Sequence, residues 1–267
     1  MSTFGYTVTD SATMLRRNLR RLRRYPSMTL LLVGMPIVFL LLFVYVFGGQ
    51  LGAGLARGLA AGHNGRAGYL NYLTPGILLM TVAAAVQGTA IVVAMDMTGG
   101  IIDRFRTMAI ARVSVLTGHV LASVIQALAS IAIVLGVAIA LGFRPTADPA
   151  NWLAAIGVLL LFTLALIWLA TALGLAAKSV ETASNTPMFL TLLPFLSSAF
   201  VPTATMPAGL RQFATYQPFT PVTETVRGLL TGTSIGGNAV GAIAWSVGIA
   251  LASYVWARHL YNHRHAG

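Results

Sequence analysis

Charged side chains are rare in this chain, and four of them gather in one short segment, MTGGIIDRFRTMAIARV, residues 97–113. They are Asp103, Arg104, Arg106 and Arg112. Between residues 101 and 110 the apolar side chains fall on or near one helical face, and the charged ones occupy much of the remainder. A short helix of this kind would present a charged surface with one aromatic side chain, Phe105, to a partner molecule. From the pattern alone, an ordinary positively charged loop is the favoured interpretation and a docking surface is the alternative.

Other chemistry that depends on specific residues is missing from the sequence. Without cysteine there is no disulfide, thiolate metal site or thiol nucleophile. Neither a GxxxxGKS or GxxxxGKT nucleotide loop nor an HExxH zinc motif occurs. His259 and His263 are spaced to share a helical face, but a solvated basic tail is the favoured interpretation. The sequence therefore predicts no catalytic, cofactor-binding or metal-binding residue, and a chain that is not an enzyme.

The acidic residues argue against a proton-coupled carrier. Such a carrier normally keeps an ionisable residue in the middle of the membrane. The acidic residues of this chain lie at the ends of the apolar runs or outside them: Asp10, Asp96, Asp103, Asp148, Glu181 and Glu224. The energy for any transport is therefore expected to come from outside this chain.

Composition places the chain in a membrane. Of its 267 residues, 57% are hydrophobic and 9% are charged, with a mean hydropathy of +0.79, whereas a soluble domain carries about 25% charged residues. The net charge of +11 comes from basic residues that flank apolar runs, which favours a role in membrane orientation over nucleic-acid binding.

Six apolar runs are candidates to cross the bilayer, since about 20 apolar residues in a helix span the hydrocarbon core. They cover roughly 28–47, 73–95, 113–141, 152–177, 187–201 and 239–256. The fold class expected is an all-α polytopic membrane protein with a single domain over 1–267. Residues 1–27 form its interface segment, 28–257 its spans and 258–267 its tail. If the N-terminus is cytoplasmic, 12 of the 17 basic residues fall on the inner side, so both termini are predicted to be cytoplasmic.

The N-terminal segment 6–25 has the pattern of an amphipathic helix. Apolar residues recur at helical spacing and arginines fill the rest. Such a helix would lie along the inner membrane surface against lipid head groups. A simple topology signal is the alternative.

The segment from Phe200 to Leu230 combines helix-breaking prolines with apolar residues. Its prolines are Pro202, Pro207, Pro218 and Pro221. Too broken for a straight span and too apolar for a free loop, it is predicted to form short re-entrant helices in the outer leaflet. Glu224 and Arg227 are three residues apart and are expected to pair on one helical face.

Polar residues inside the predicted spans are candidates to line a pathway. Those retained as possible pathway residues are Gln87, Gln126, Ser197 and Ser198. Most such residues mediate contacts between helices instead. The polar break from Lys178 to Asn185 is expected to be an inner turn, with a contact to a partner protein as the alternative.

Two stretches carry a resemblance to a known family. DMTGGIIDRFRTMAIAR, together with the block from GLAAKSVETASNTPMF through PVTETVRGLLTG, resembles the permease of type-2 ATP-binding cassette exporters of the daunorubicin-resistance kind. The second block is the more specific, with its FxPxxxxP motif followed by PVTExxRGLL. Ala109 stands where proline is common in that family.

The resemblance implies a role for each block. In the family, the loop after the second span is a coupling helix that docks on a separate ATPase subunit. Carried over by position, the coupling residues are Ile102, Asp103, Arg104, Phe105, Arg106, Met108 and Arg112. The segment with Pro202, Pro207, Pro218, Pro221, Glu224 and Arg227 corresponds to a helical hairpin that forms an outer gate between two permease copies.

The function expected is that of a permease subunit of an ATP-driven exporter in a bacterial cell membrane. Its cargo is expected to be an amphipathic drug-, antibiotic- or lipid-like compound. The expected partners are two ATPase subunits that hold ATP and Mg, a second permease copy or a paralogue, and membrane lipids, with no nucleic acid. An exporter of polysaccharide or lipid-linked sugar, and an autonomous proton-linked carrier, are the alternatives.

Overall fold

The computed structural model describes residues 26–58, 65–98 and 112–263. The interface helix predicted at 6–25 and the predicted coupling residues 102–108 lie outside these ranges. Within them the chain is all helical. Its α-helices are α1 (Pro26–Leu41), α2 (Gly48–Gly58), α3 (Gly65–Thr98), α4 (Arg112–Ala140), α5 (Pro149–Ala176), α6 (Val180–Asn185), α7 (Met188–Leu192), α8 (Ala208–Tyr216), α9 (Phe219–Thr231) and α10 (Asn238–His263).

Within the described residues, five helical stretches are long and apolar enough to cross a membrane, namely Leu32–Ala53, Gly65–Thr98, Thr117–Ala140, Pro149–Ala176 and Asn238–Tyr261. The first joins α1 to α2 through a π-helical turn at Leu42–Phe47. The second begins at Gly65, earlier than the predicted start at residue 73. It is also the most enclosed of the five, because 72% of its most apolar 18 residues are buried, whereas the corresponding share is 17–44% in the other four. Helix α3 is therefore the centre of the bundle.

The span predicted at 187–201 is not one helix. Short α6 and α7 are followed by a 3-10 turn at Leu193–Leu196, and a second 3-10 turn at Thr203–Thr205 precedes α8. Proline interrupts the segment because it lacks a backbone N–H and fixes its own backbone angle. Pro187 stands before α7, Pro194 lies in the first 3-10 turn, and Pro202 stands before the second.

The directions of the long helices follow from their contacts. Near the end of α3, Val93 and Met97 pack with Leu175 of α5 and with Ala257 and Tyr261 of α10. Helices α3, α5 and α10 therefore all finish at one end of the bundle, which we call the Thr98 end. At the opposite end, called the Thr146 end, the loop between α4 and α5 meets the last turn of α9.

The chain returns from the Thr98 end to the Thr146 end between α5 and α10, because these two helices run the same way. Ala183 packs with Ala94 near the end of α3. Ala199 then lies against Gly76, in the first half of α3. The Tyr69 hydroxyl, near the start of α3, points at the carbonyl oxygen of Phe200 at 3.4 Å. Short helices and turns thus make the passage that a straight helix makes elsewhere in the bundle.

Gly76 is required for this packing, and we expect Gly76→Ala to destabilise the protein. A Cβ at this position would lie 2.6 Å from both the Cβ and the carbonyl oxygen of Ala199, so backbone must move. Overpacking of this kind costs about 1–3 kcal/mol, and a lower melting temperature of the purified protein would report it. Gly136→Ala is the matched control, because nothing lies within 4 Å of a Cβ added there and alanine favours the helix. A Gly76→Ala protein as stable as the wild type would contradict the close approach.

Candidate functional site

Helices α8 and α9 form a hairpin whose turn lies deep in the bundle. Gln217 holds the turn: its side-chain Nε2 donates to the carbonyl oxygen of Leu193 at 3.3 Å, and its Oε1 accepts from the backbone N–H of Phe219 at 3.1 Å. The Phe219 ring meets the Phe162 ring edge to face at 5.2 Å. Since Phe162 lies midway along α5, the turn of the hairpin reaches about half the depth of the bundle.

The other end of α9 lies at the Thr146 end. The backbone N–H of Thr146 donates to the carbonyl oxygen of Leu230 at 2.9 Å. Gly232 then ends α9 in a left-handed conformation, with φ of +73°, a geometry that glycine adopts without steric cost. Helix α9 therefore runs from the middle of the bundle to the Thr146 end.

A buried arginine joins this hairpin to α3. The Arg227 guanidinium donates from Nε to the carbonyl oxygen of Tyr72 at 3.1 Å, and from Nη2 to the carbonyl oxygen of Ser198 at 2.8 Å. Its Nη1 pairs with the Glu224 carboxylate. The guanidinium carbon also lies 3.8 Å from the centroid of the Tyr72 ring. The local pairing of Glu224 with Arg227 that the sequence suggests is present, and it belongs to a larger set of contacts that we call the Arg227 cluster: Tyr72, Ser198, Glu224 and Arg227.

Ser198 connects α3, the broken segment before α8, and α9. Its carbonyl oxygen accepts from both the Tyr72 hydroxyl, at 2.9 Å, and Arg227. Its backbone N–H donates to the Thr220 hydroxyl at 3.1 Å, which ties the same residue to the start of α9. The backbone N–H and carbonyl oxygen of Ser198, which lie within the break at 197–202, are thus paired inside the protein, as a buried environment demands.

The four hairpin prolines stand at the starts of its helical pieces. Pro202 precedes the 3-10 turn, Pro207 precedes α8 and Pro218 precedes α9. Pro221 lies in the first turn of α9, where a missing N–H costs nothing, and its ring approaches Gly241 of α10. These prolines therefore separate the helical pieces of the hairpin from one another.

The predicted pathway residues lie at separate depths. Gln87 on α3 is half-buried and donates from Nε2 to the carbonyl oxygen of Ser184 at 3.2 Å, linking α3 to α6. Gln126 is half-buried on α4. The Ser197 hydroxyl donates to the carbonyl oxygen of Pro194 at 2.6 Å, and the Ser198 hydroxyl is buried without a hydrogen-bond partner among the described residues. Their contacts with cargo stay a prediction.

The polar break from Lys178 to Asn185 is a short helix, α6. The Ser179 side chain accepts from the backbone N–H of Thr182 at 3.1 Å and caps its start. Lys178 and Glu181 are exposed. The segment presents both charges at the Thr98 end of the bundle.

Of the predicted coupling residues, only Arg112 falls within the described residues, as the first residue of α4. The helices that flank the segment are described: α3 ends at Thr98 and α4 begins at Arg112. Close to this junction Asp96 on α3 faces His119 on α4, with 3.1 Å between Oδ2 and Nε2. The Nε2 atom of His119 has no hydrogen-bond partner within the described residues, so the contact with Asp96 has the distance of an ion pair only.

Sequence reasoning missed two of these features. Tyr72 lies just before the predicted second span, which begins at residue 73, and a tyrosine at a span end resembles an ordinary interfacial residue. His119 is an ionisable residue inside an apolar run, and that is itself a signal that a partner should be sought. Asp96 was noted only as the end of a span.

Comparison with known proteins identifies relatives over most of the chain. The model of the ABC-2 type transporter family matches residues 10–231. The daunorubicin resistance ABC transporter permease protein DrrB1 of Streptomyces coeruleorubidus is 28% identical over 245 residues, which cover 91% of this chain and 80% of that protein. The probable doxorubicin resistance ABC transporter permease protein DrrC of Mycobacterium tuberculosis (strain ATCC 25618 / H37Rv) is 24% identical over 177 residues, 65% of this chain and 64% of that protein.

Proposed function

The chain belongs to the ABC-2 type transporter family, and on that basis we propose that it is the membrane-spanning permease of an ATP-driven exporter that moves an amphipathic drug-, antibiotic- or lipid-like compound outward. The relatives are named as daunorubicin and doxorubicin resistance permeases. An apolar bundle with few charges suits such a compound better than an ion. This chain is a transport subunit, and ATP hydrolysis is assigned to a separate protein.

The partner is an ABC ATPase, as for other permeases of this family. The sequence itself supplies no GxxxxGKS or GxxxxGKT loop. We assign two ATPase copies, each with ATP and Mg, and a pair of permeases, either two copies of this chain or one copy and a paralogue. The docking surface proposed is the segment with Ile102, Asp103, Arg104, Phe105, Arg106, Met108 and Arg112.

The observation that carries the mechanism is the continuity of α3 between the proposed docking segment and the hairpin. This helix is unbroken over 34 residues, about 50 Å at 1.5 Å per residue. One end leads directly into residues 99–111, and near the other end Tyr72 contacts Arg227. A displacement imposed at the Thr98 end would therefore reach the hairpin through one continuous, largely buried helix, which contains Pro75.

The same argument defines the proposed cycle. ATP-driven closure of the two ATPases would push the docking segments and shift the permease pair from an inward-open to an outward-open population. The hairpin with Pro202, Pro207, Pro218 and Pro221 would be the outer gate, and its Glu224–Arg227 pair would keep it attached to α3. Gln87, Gln126, Ser197 and Ser198 are proposed to face the pathway.

The topology that we propose has six crossings, of which five are the long helices and one is the broken passage from α6 to Phe200. The Thr98 end would be cytoplasmic, because it is the end next to the arginines of the docking segment. Both termini would then be cytoplasmic in a bacterial cell membrane. Helices α8 and α9 would re-enter from the outside, and the 6–25 helix would lie on the inner surface.

The proposed function predicts that activity requires the ATPase. We expect vesicles that contain the chain and its ATPase to accumulate a daunorubicin-like compound when ATP is added, and vesicles with the chain alone to accumulate none. Accumulation driven by a proton gradient without the ATPase, and abolished by an ionophore, would favour the carrier alternative. A complex whose ATP hydrolysis responds to a lipid-linked sugar and not to the drug would favour the other alternative.

A further inference from the structure

A buried polar pair bridges the two helices that enter and leave the 99–111 segment. Asp96 lies two residues before the end of α3, and His119 lies near the start of α4. Their side chains are 2% and 5% exposed, and Oδ2 and Nε2 are 3.1 Å apart. The Glu224–Arg227 pair, by contrast, lies within one helix. Asp96 and His119 instead connect two helices at their junction with the proposed docking segment.

The surroundings give this pair a geometric role. Ala85 of α3 and Val120 and Val124 of α4 share one apolar cluster. Apolar contacts alone specify the register of two helices weakly, because a repacked core loses its uniqueness before it loses its stability. A polar pair has one productive arrangement, and sliding either helix along its axis would separate Asp96 from His119.

Retaining such a pair for stability alone has little physical basis. Taking a carboxylate out of water is costly, and apolar replacements of similar volume are often as stable or more stable. The better-attested use of a buried polar contact is to specify register. We propose that Asp96 and His119 are positioning residues that fix the axial register of α3 against α4, so that the segment between them is displaced together with both helices.

The register itself can be measured without any transport assay. The natural chain has no cysteine, so Met95→Cys and Leu121→Cys, at two exposed positions, can carry a nitroxide pair. We expect a narrow distance distribution in the otherwise unchanged protein and a clearly broadened or shifted one when Asp96→Leu and His119→Leu are added. A distribution that stays narrow and unshifted in the apolar variant would overturn the proposal.

Thr89→Val with Ser130→Ala is the matched control for the apolar pair. Both residues are buried on the same two helices, but each hydroxyl donates to its own helix, to the carbonyl oxygens of Ala85 and Gln126. The control therefore removes buried polar groups without touching a contact between helices. We expect its distance distribution to match that of the unchanged protein; broadening in the control as well would assign the effect to lost polarity and overturn the register role.

The consequence for transport rests on the proposed function. In the complex with its ATPase, the apolar pair is expected to keep basal ATP hydrolysis and to lower the cargo moved per ATP by about fivefold or more, the low end of coupling between distant sites. The exchanged pair, Asp96→His with His119→Asp, restores the contact and is expected to recover the ratio in part. If the apolar variant does not fold, the ratio of cargo to ATP in the exchanged variant tests the proposal instead, and a ratio that is not recovered at all would contradict it.

Two outcomes separate the failures. A wild-type complex without cargo-stimulated ATP hydrolysis would defeat the proposed function, while the nitroxide distances would still test the register. A wild-type complex that couples normally, with an apolar variant that couples equally well, would defeat this inference and leave the proposed function intact.

Discussion

Cargo-stimulated ATP hydrolysis is expected to disappear when Phe105 and Arg106 are both replaced by alanine. In the proposed docking segment, Phe105 is the aromatic anchor and Arg106 is a neighbouring charge, and a few such residues carry most of the free energy of a small interface. Losing both anchors would uncouple the permease from its partner. The measurement is ATP hydrolysis by the reconstituted complex with and without cargo, together with co-purification of the ATPase.

The control for this pair must show that the permease still folds. Arg264→Ala removes a basic residue on the same predicted side of the membrane but outside the docking segment, and we expect it to keep full stimulation. The Phe105→Ala, Arg106→Ala protein should match the wild type in melting temperature and elution volume. Unchanged stimulation in a folded double variant would refute the coupling role of the segment.

A feature of this structure can be predicted when the residues that determine it are close together in the sequence. The four straight spans after the first loop are readable because each is a continuous apolar run of sufficient length, a property of the local sequence. The ends of these spans are harder to predict. Helix α3 begins at Gly65 instead of residue 73, because Tyr69 and Tyr72 are buried inside the bundle rather than exposed at an interface.

The Arg227 cluster shows both sides of this limit. The pairing of Arg227 with Glu224 is set by a spacing of three residues on one helix and could be predicted. Its bonds to Tyr72 and Ser198 join residues 155 and 29 positions away. No periodicity in the sequence encodes those contacts, because they depend on how the broken segment folds against α3. The same is true of Asp96 and His119, which meet only once α3 and α4 are packed.

The prolines of the broken passage between α6 and Phe200 stand in the sequence, but the path of the chain through the bundle cannot be predicted from them. The apolar residues of 187–201 predict a span, and in the structure Pro187, Pro194 and Pro202 interrupt it. Where the freed backbone groups find partners could not be predicted, since the partners come from α3 and α9. Close approach at Gly76 is a further example: the glycine is plain in the sequence, and only its neighbour Ala199 explains it.

Arg227→Met is expected to cause the largest loss of stability of any single substitution in the hairpin. The variant keeps much of the side-chain volume but removes the donors that Tyr72 and Ser198 accept from, and it leaves the Glu224 carboxylate without its cation. Breaking a buried pair from one side costs about 3–5 kcal/mol; because Glu224 is 28% exposed, we expect the lower end, about 3 kcal/mol. The melting temperature of the purified permease is the measurement.

Comparison with a second arginine of the hairpin isolates burial as the cause. Arg211 is exposed and donates to the carbonyl oxygen of Met206 at 3.0 and 3.2 Å, so Arg211→Met is expected to cost less than about 1 kcal/mol. Arg227→Lys should fall between the two, because an ammonium keeps the charge but lacks the planar fork that serves two carbonyls and a carboxylate at once. If Arg227→Met and Arg211→Met were equally mild, the hairpin would be held by its apolar contacts, and α3 could not move it through this cluster. A large gap between them would show that the buried contacts of Arg227 hold the hairpin to α3, as the proposed cycle requires.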